Sequence, residues 1–126
     1  MTAHTERMIP LTIQELIHIT DATDLTPDTD KSANVRCGYT CDLLSWVMAH
    51  GKAGMAWVTV QTHMNVIAVA SLMEMAAVIL PENIEMEAAS LEKAKEEGVT
   101  VLRSPCTAYE LCARMAAAGL PADAAE

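Results

Sequence analysis

The chain has 126 residues, a net charge of −9 and 52% apolar residues, with two Trp, two Tyr and no Phe. That length fits one domain over residues 1–126, with a core at about 9–120 and frayed ends, built from Ala, Val, Leu, Ile and nine Met without disulfide or metal staples. The negative charge, with no Lys/Arg cluster to offset it, argues against nucleic acid and membrane surfaces as partners, and the first residues, MTAHTERMIP, hold no apolar signal region, so a cytoplasmic location is expected.

In chain order, the spacing of Leu11, Ile13, Leu16 and Ile17 predicts a short amphipathic helix over 11–19. The acidic, Thr/Asp/Pro-rich stretch 20–32 reads as a mobile loop with a brief strand at its start. A strand follows at 34–39. Asp42 is then placed to cap a helix whose Leu43, Leu44, Val47 and Met48 form one stripe, ended by Gly51 and Gly54. Residues 57–80 read as strand, polar turn, helix and strand with almost no spacer. Strand 55–60 leads through Gln61, Thr62 and His63, with Thr62 as cap, into a helix at about 63–75 and a strand at 76–80. Helix 87–97 has only Ala88, Leu91 and Ala94 to bury and is closed by Gly98, so it lies outside. A strand at 99–102 precedes a helix that opens on the capping-box pair Thr107 and Glu110 and ends near Gly119.

Strands separated by helices long enough for crossovers predict an α/β fold, a three-layer α/β/α sandwich with a mostly parallel sheet of about five strands. Val58, Val60, Ile67, Val69, Val78, Leu80, Val99 and Val101 belong to its expected core. The helix at 64–75 is apolar at almost every position, more than packing on a sheet consumes, so a homodimer using that helix and Trp46 is expected.

In a parallel sheet, the end of a strand and the positive start of the next helix meet at one edge, where backbone N–H groups can hold an anion. Gln61, Thr62, His63 and Asn65 occupy that edge and are the candidate ligand-binding residues, with His63 contributing most when protonated. The other reading of His63 is a turn or interface residue. Neither GxxxxGK[ST] nor GxGxxG occurs, and Ser45, Ser71, Ser90 and Ser104 lie in ordinary helix or loop contexts, so no catalytic residue is assigned and no enzyme is expected. Cys37, Cys41 and Cys106 fall at strand ends that a parallel sheet could bring together, which makes them candidate ligands for zinc or an iron–sulfur cluster; the plainer reading is free thiols. His4, His18 and His50, the scattered Met residues and the acidic run 92–97 need no function beyond surface or core.

The runs GYTCDLLSWVMAH, WVTVQTHMNVIAVASL, KAKEEGV and LRSPCTAYEL, in this order from about Val35 to Leu120, resemble the small stand-alone DRTGG-domain proteins. The resemblance implies an α/β/α fold similar to the amino-terminal domain of HPr kinase/phosphorylase. Related domains sit beside adenine-nucleotide-binding CBS domains in regulated pyrophosphatases and at the front of some phosphotransacetylases, where they regulate or assemble. This chain departs from the pattern that names the family, with Gln61-Thr62-His63 in place of Asp-Arg and Leu80-Pro81-Glu82-Asn83 in place of Thr-Gly-Gly. Two functions follow. One is a non-enzymatic regulatory domain, acting as a homodimer that binds an adenine nucleotide, another anionic small molecule or a regulatory protein. The other is a thiol-based metal or redox protein with a redox-enzyme partner, since stand-alone members resemble components that accompany iron hydrogenase systems.

Overall fold

The structure, a computed structural model, describes residues 11–123. In chain order its elements are β1 (Leu11–Thr12), α1 (Ile13–Ile19), β2 (Thr23–Asp24), β3 (Asn34–Val35), β4 (Cys37–Thr40), α2 (Leu44–His50), β5 (Met55–Val58), α3 (Met64–Leu72), β6 (Ala77–Leu80), α4 (Ala88–Glu97), β7 (Val101–Arg103) and α5 (Ala108–Ala117). Five strands form one sheet in the order β2-β7-β6-β5-β4; β4 to β7 run parallel and β2 runs antiparallel to β7. β1 and β3 form a separate antiparallel ladder, with Leu11 opposite Val35.

Alternation along the strands feeds two cores. Met55 and Trp57 of β5, and Val78 and Leu80 of β6, pack with Val47, Val66, Ile67 and Ala94 from α2, α3 and α4. Their neighbours Ala56, Val58, Ala77 and Ile79 point the other way, into Ile13, Leu16, Leu111 and Met115 of α1 and α5. Burial on both faces is why MAWV and AVIL are continuous apolar runs and not alternating ones. The fold is therefore the three-layer sandwich that the sequence predicts. Each crossover from β4 to β7 steps one strand in the same direction, which puts α2, α3 and α4 on one face when all share a hand. α3 sits between the other two and packs on both, so much of its apolar surface is consumed inside the chain: Val66, Ile67, Val69 and Ala70 are buried.

Several local expectations change. Helix α1 begins at Ile13, because Thr12 leaves the helix to form a capping box with Glu15, and Leu11 pairs as a strand. The strand expected at 34–39 breaks at Arg36, and its halves join different sheets. In α2 only Val47 is buried; Leu43 and Met48 of the expected stripe face solvent. Val60 is 46% exposed, because β5 has already ended at Val58. The last parallel strand is Val101–Arg103, two residues later than expected at its start. In α4 Ala94 is buried, Ala88 is exposed, and Ser90 takes an unexpected buried position.

The stretch 20–32, expected to be mobile, holds the brief strand β2 and is tied into the sheet. Thr26 Oγ1 accepts Val101 N–H at 3.0 Å, Thr29 Oγ1 meets Thr100 Oγ1 at 2.7 Å, and Lys31 Nζ donates to the carbonyls of Thr26 and Thr29, both at 2.8 Å, beside Asp24 at 3.0 Å. Gly98 closes α4 at φ 71°, and Thr107 with Glu110 forms the expected capping box of α5. His18 and His50 are exposed, whereas His4 and the final three residues lie outside the described range.

Candidate functional site

The turn after β5 gathers Gln61, Thr62, His63 and Asn65 at the carboxyl-terminal edge of the parallel strands, and hydrogen bonds fix its shape. Thr59, 1% exposed, donates its hydroxyl to Asp42 Oδ1 at 2.8 Å, and the same oxygen accepts Val60 N–H at 2.9 Å. Gln61 adds N–H to Thr59 Oγ1 at 3.2 Å and Nε2–H to the Asp42 carbonyl at 2.9 Å. Asp42 therefore does not cap its own helix. It fastens the turn after β4 to the turn after β5, and α2 begins at Leu44, with Leu43 at the N-cap and no side-chain cap bond.

The other side of the turn is fastened to the start of α4. Thr62 Oγ1 donates to Glu87 Oε2 at 3.2 Å, and Ser90 Oγ donates to the Thr62 carbonyl at 2.6 Å. The cap of α3 is His63, not Thr62: its Nδ1 accepts Asn65 N–H at 3.2 Å, and its carbonyl accepts Val66 N–H at 2.9 Å. An accepting Nδ1 puts the ring proton on Nε2, so the neutral imidazole is the capping form.

Two of the amide groups expected to hold an anion are thus already occupied, and the charged groups bonded into this edge, Asp42 and Glu87, are both carboxylates. His63, Asn65 and Gln61 remain exposed. Such an edge offers acceptors to a ligand rich in hydroxyl or amino donors, with imidazole Nε2–H and the Asn65 carboxamide as donors in return. A phosphate chain laid against it would meet the like charge of Asp42 and Glu87.

The three candidate metal-ligating cysteines are not brought together. Cys37 is buried among the α2/α3/α4 core, while Cys106 is buried in the core on the other face of the sheet, its thiol 3.7 Å from the Thr20 carbonyl. Cys41 is half-buried, 3.9 Å from the Leu43 carbonyl. Alternation along the strand and the width of the sheet separate them. None of the four cysteines is joined in a disulfide, and among the described residues no group of three His, Cys, Asp or Glu could hold a metal ion.

Sequence reasoning missed Asp42, Thr59, Glu87 and Ser90 as parts of this edge; they come from three separate turns, and only the strand order makes them neighbours. It also missed two apolar concavities. One, of about 360 Å³, lies between β4 and α5, with Gly38, Thr40, Cys112, Met115 and Leu120 in its lining. The other, of about 270 Å³, lies between α2 and α3. Beside the first strand of this region, the Tyr39 hydroxyl is buried without a hydrogen-bond partner; burial and then the adjacent Cys41 thiol push its pKa up.

No protein-family model matches the chain, and no curated protein matches it. Among solved structures, it is similar to the CBS and DRTGG domains of the regulatory region of Clostridium perfringens pyrophosphatase, complexed with the activator diadenosine tetraphosphate. The TM-score is 0.69 at 13% identity, over 90% of this chain. The chain spans about half (49%) of the length of that neighbour. The likeness is one of fold, an α/β domain with a five-stranded, mostly parallel sheet. Among the described residues no helix is long and apolar enough to cross a membrane.

Proposed function

We propose that this chain is a non-catalytic regulatory domain that binds a nucleotide-like small molecule at the edge formed by Asp42, Gln61, Thr62, His63 and Asn65. The observation that carries the reading is the shared fold with a regulatory region that holds an adenine dinucleotide. The resemblance of the sequence to stand-alone DRTGG proteins supports it from a second direction.

The chemistry of the edge refines the ligand. With Asp42 and Glu87 as its bonded charges, the surface favours the base and ribose, whose amino and hydroxyl groups donate; any phosphates extend outward or arrive with a divalent cation. Titration calorimetry with adenosine, ATP and diadenosine tetraphosphate, each with and without magnesium, tests this. Expected are binding in the micromolar range, a magnesium requirement for the phosphorylated ligands, and a loss of about tenfold in Asn65→Ala. No binding tighter than millimolar by any of them would end the ligand reading and leave a protein-recognising regulator.

A further inference from the structure

The outer sides of α2 and α3 form an unusual surface for so acidic a chain. Between Leu43 and Met73, Lys52 is the only residue among Asp, Glu, Lys and Arg. Leu43, Trp46, Met48, Val60, Met64 and Leu72 each leave between 42% and 67% of their surface exposed there. Burial of α3 between α2, α4 and the sheet accounts for its inner positions and does not account for these. So many large apolar side chains left open on two neighbouring helices and the adjoining turn mark a surface suited to a protein contact.

We infer that this face is a two-fold interface with a second copy of the chain. Two molecules that each carry −9 repel one another everywhere except through a face without charge. A partner of opposite charge would instead seek the acidic surface, where Glu92, Glu96 and Glu97 stand exposed. A two-fold contact also needs one surface to supply both protrusion and depression, and this one does. The groove lined by Leu44, Met48, Asn65, Ala68, Val69 and Leu72 is the depression. Trp46 stands 54% exposed on α2, and its indole stacks on His50 at 4.1 Å between ring centroids, while His50 Nδ1 donates to the Trp46 carbonyl at 3.0 Å. An aromatic side chain immobilised before contact loses little freedom on binding.

The interface also reaches the ligand edge, because Asn65 lines the groove and Val60 and Met64 flank the turn. The association itself requires no ligand, so its test is independent of the preceding reading. Analytical ultracentrifugation of the unliganded chain should show a dimer at micromolar concentration. Trp46→Ala and Leu72→Glu should each weaken it by at least about thirtyfold, with the circular dichroism spectrum of the folded protein kept, while Glu96→Lys on α4 should leave it unchanged. Fluorescence gives a second readout: Trp57 is fully buried, so a red shift on dilution reports Trp46. A wild-type chain that stays monomeric to high micromolar concentration overturns the inference, as does a dimer indifferent to both substitutions.

Discussion

Asp42 ranks among the least conspicuous residues of the sequence and among the best connected of the structure. Its one oxygen serves a buried hydroxyl and a backbone N–H on another strand's turn. Asp42→Ala strands Thr59 Oγ1 without its acceptor, so it should cost about 1–3 kcal/mol in urea denaturation; an unchanged midpoint would mean that water replaces the carboxylate fully. Tyr39 is the opposite case. Its hydroxyl lies out of solvent with no partner, so Tyr39→Phe should stabilise the fold by about 1 kcal/mol in the same assay, and a loss of stability would reveal a hydrogen bond that the geometry does not show. At this scale the sequence is least legible. Thr62 has the better capping chemistry, yet its hydroxyl is drawn to Glu87, 25 residues away, and His63 takes the cap. The cysteines fail for a related reason: spacing says where a residue falls on a strand, and only the pleat says which face of the sheet it joins.

Elements closed by local chemistry were readable in advance, and those shaped by distant partners were not. Thr107 and Glu110 bond each other's backbone at 3.0 and 3.1 Å, and the Glu110 carboxyl is held below its ordinary value near 4.5, first by the Thr107 backbone N–H and then by its hydroxyl. A lowered folded-state pKa contributes stability that is present above the unfolded value and lost as pH falls through the folded one. Amide protection at the start of α5, taken relative to the intrinsic exchange rate at each pH, should therefore fall on acidification below about pH 4.5, and Glu110→Gln should flatten that dependence; equal protection profiles in both proteins would refute the cap's role. Gly98 ends α4 in the left-handed region with nothing within 4 Å of an added Cβ, so Gly98→Ala meets only the backbone penalty, about 1 kcal/mol by denaturation. By contrast, nothing local marks the break at Arg36, where one extended run is divided between β3 and β4. Their different partners, β1 and β5, decide it.

For the whole molecule, the layering was legible because burial on both faces writes itself into the sequence as unbroken apolar runs flanked by helix signals. The candidate edge follows from the strand order, whereas the carboxylates bonded into it, Asp42 and Glu87, arrive from other turns and leave no mark in the local sequence. If the edge binds its ligand to the folded state alone, a hundredfold excess over the dissociation constant stabilises the chain by about 2.7 kcal/mol, which for this length raises the melting temperature by roughly 10 °C. A thermal-shift series with the calorimetric ligands should show that rise, and a ligand that binds without it would be contacting the unfolded chain as well. The two rims of the sheet bear on how far association can proceed. On one side β2 is two residues long and runs against the direction of its neighbour. On the other, Pro121 places its carbonyl 3.1 Å from Gly38 N–H, and Lys52 meets Asp123 at 2.6 Å to pin the segment there. Each rim is thus obstructed as a template for another strand. If the proposed two-fold contact forms, it closes on itself once paired, and assembly should stop at the dimer without growth into fibres.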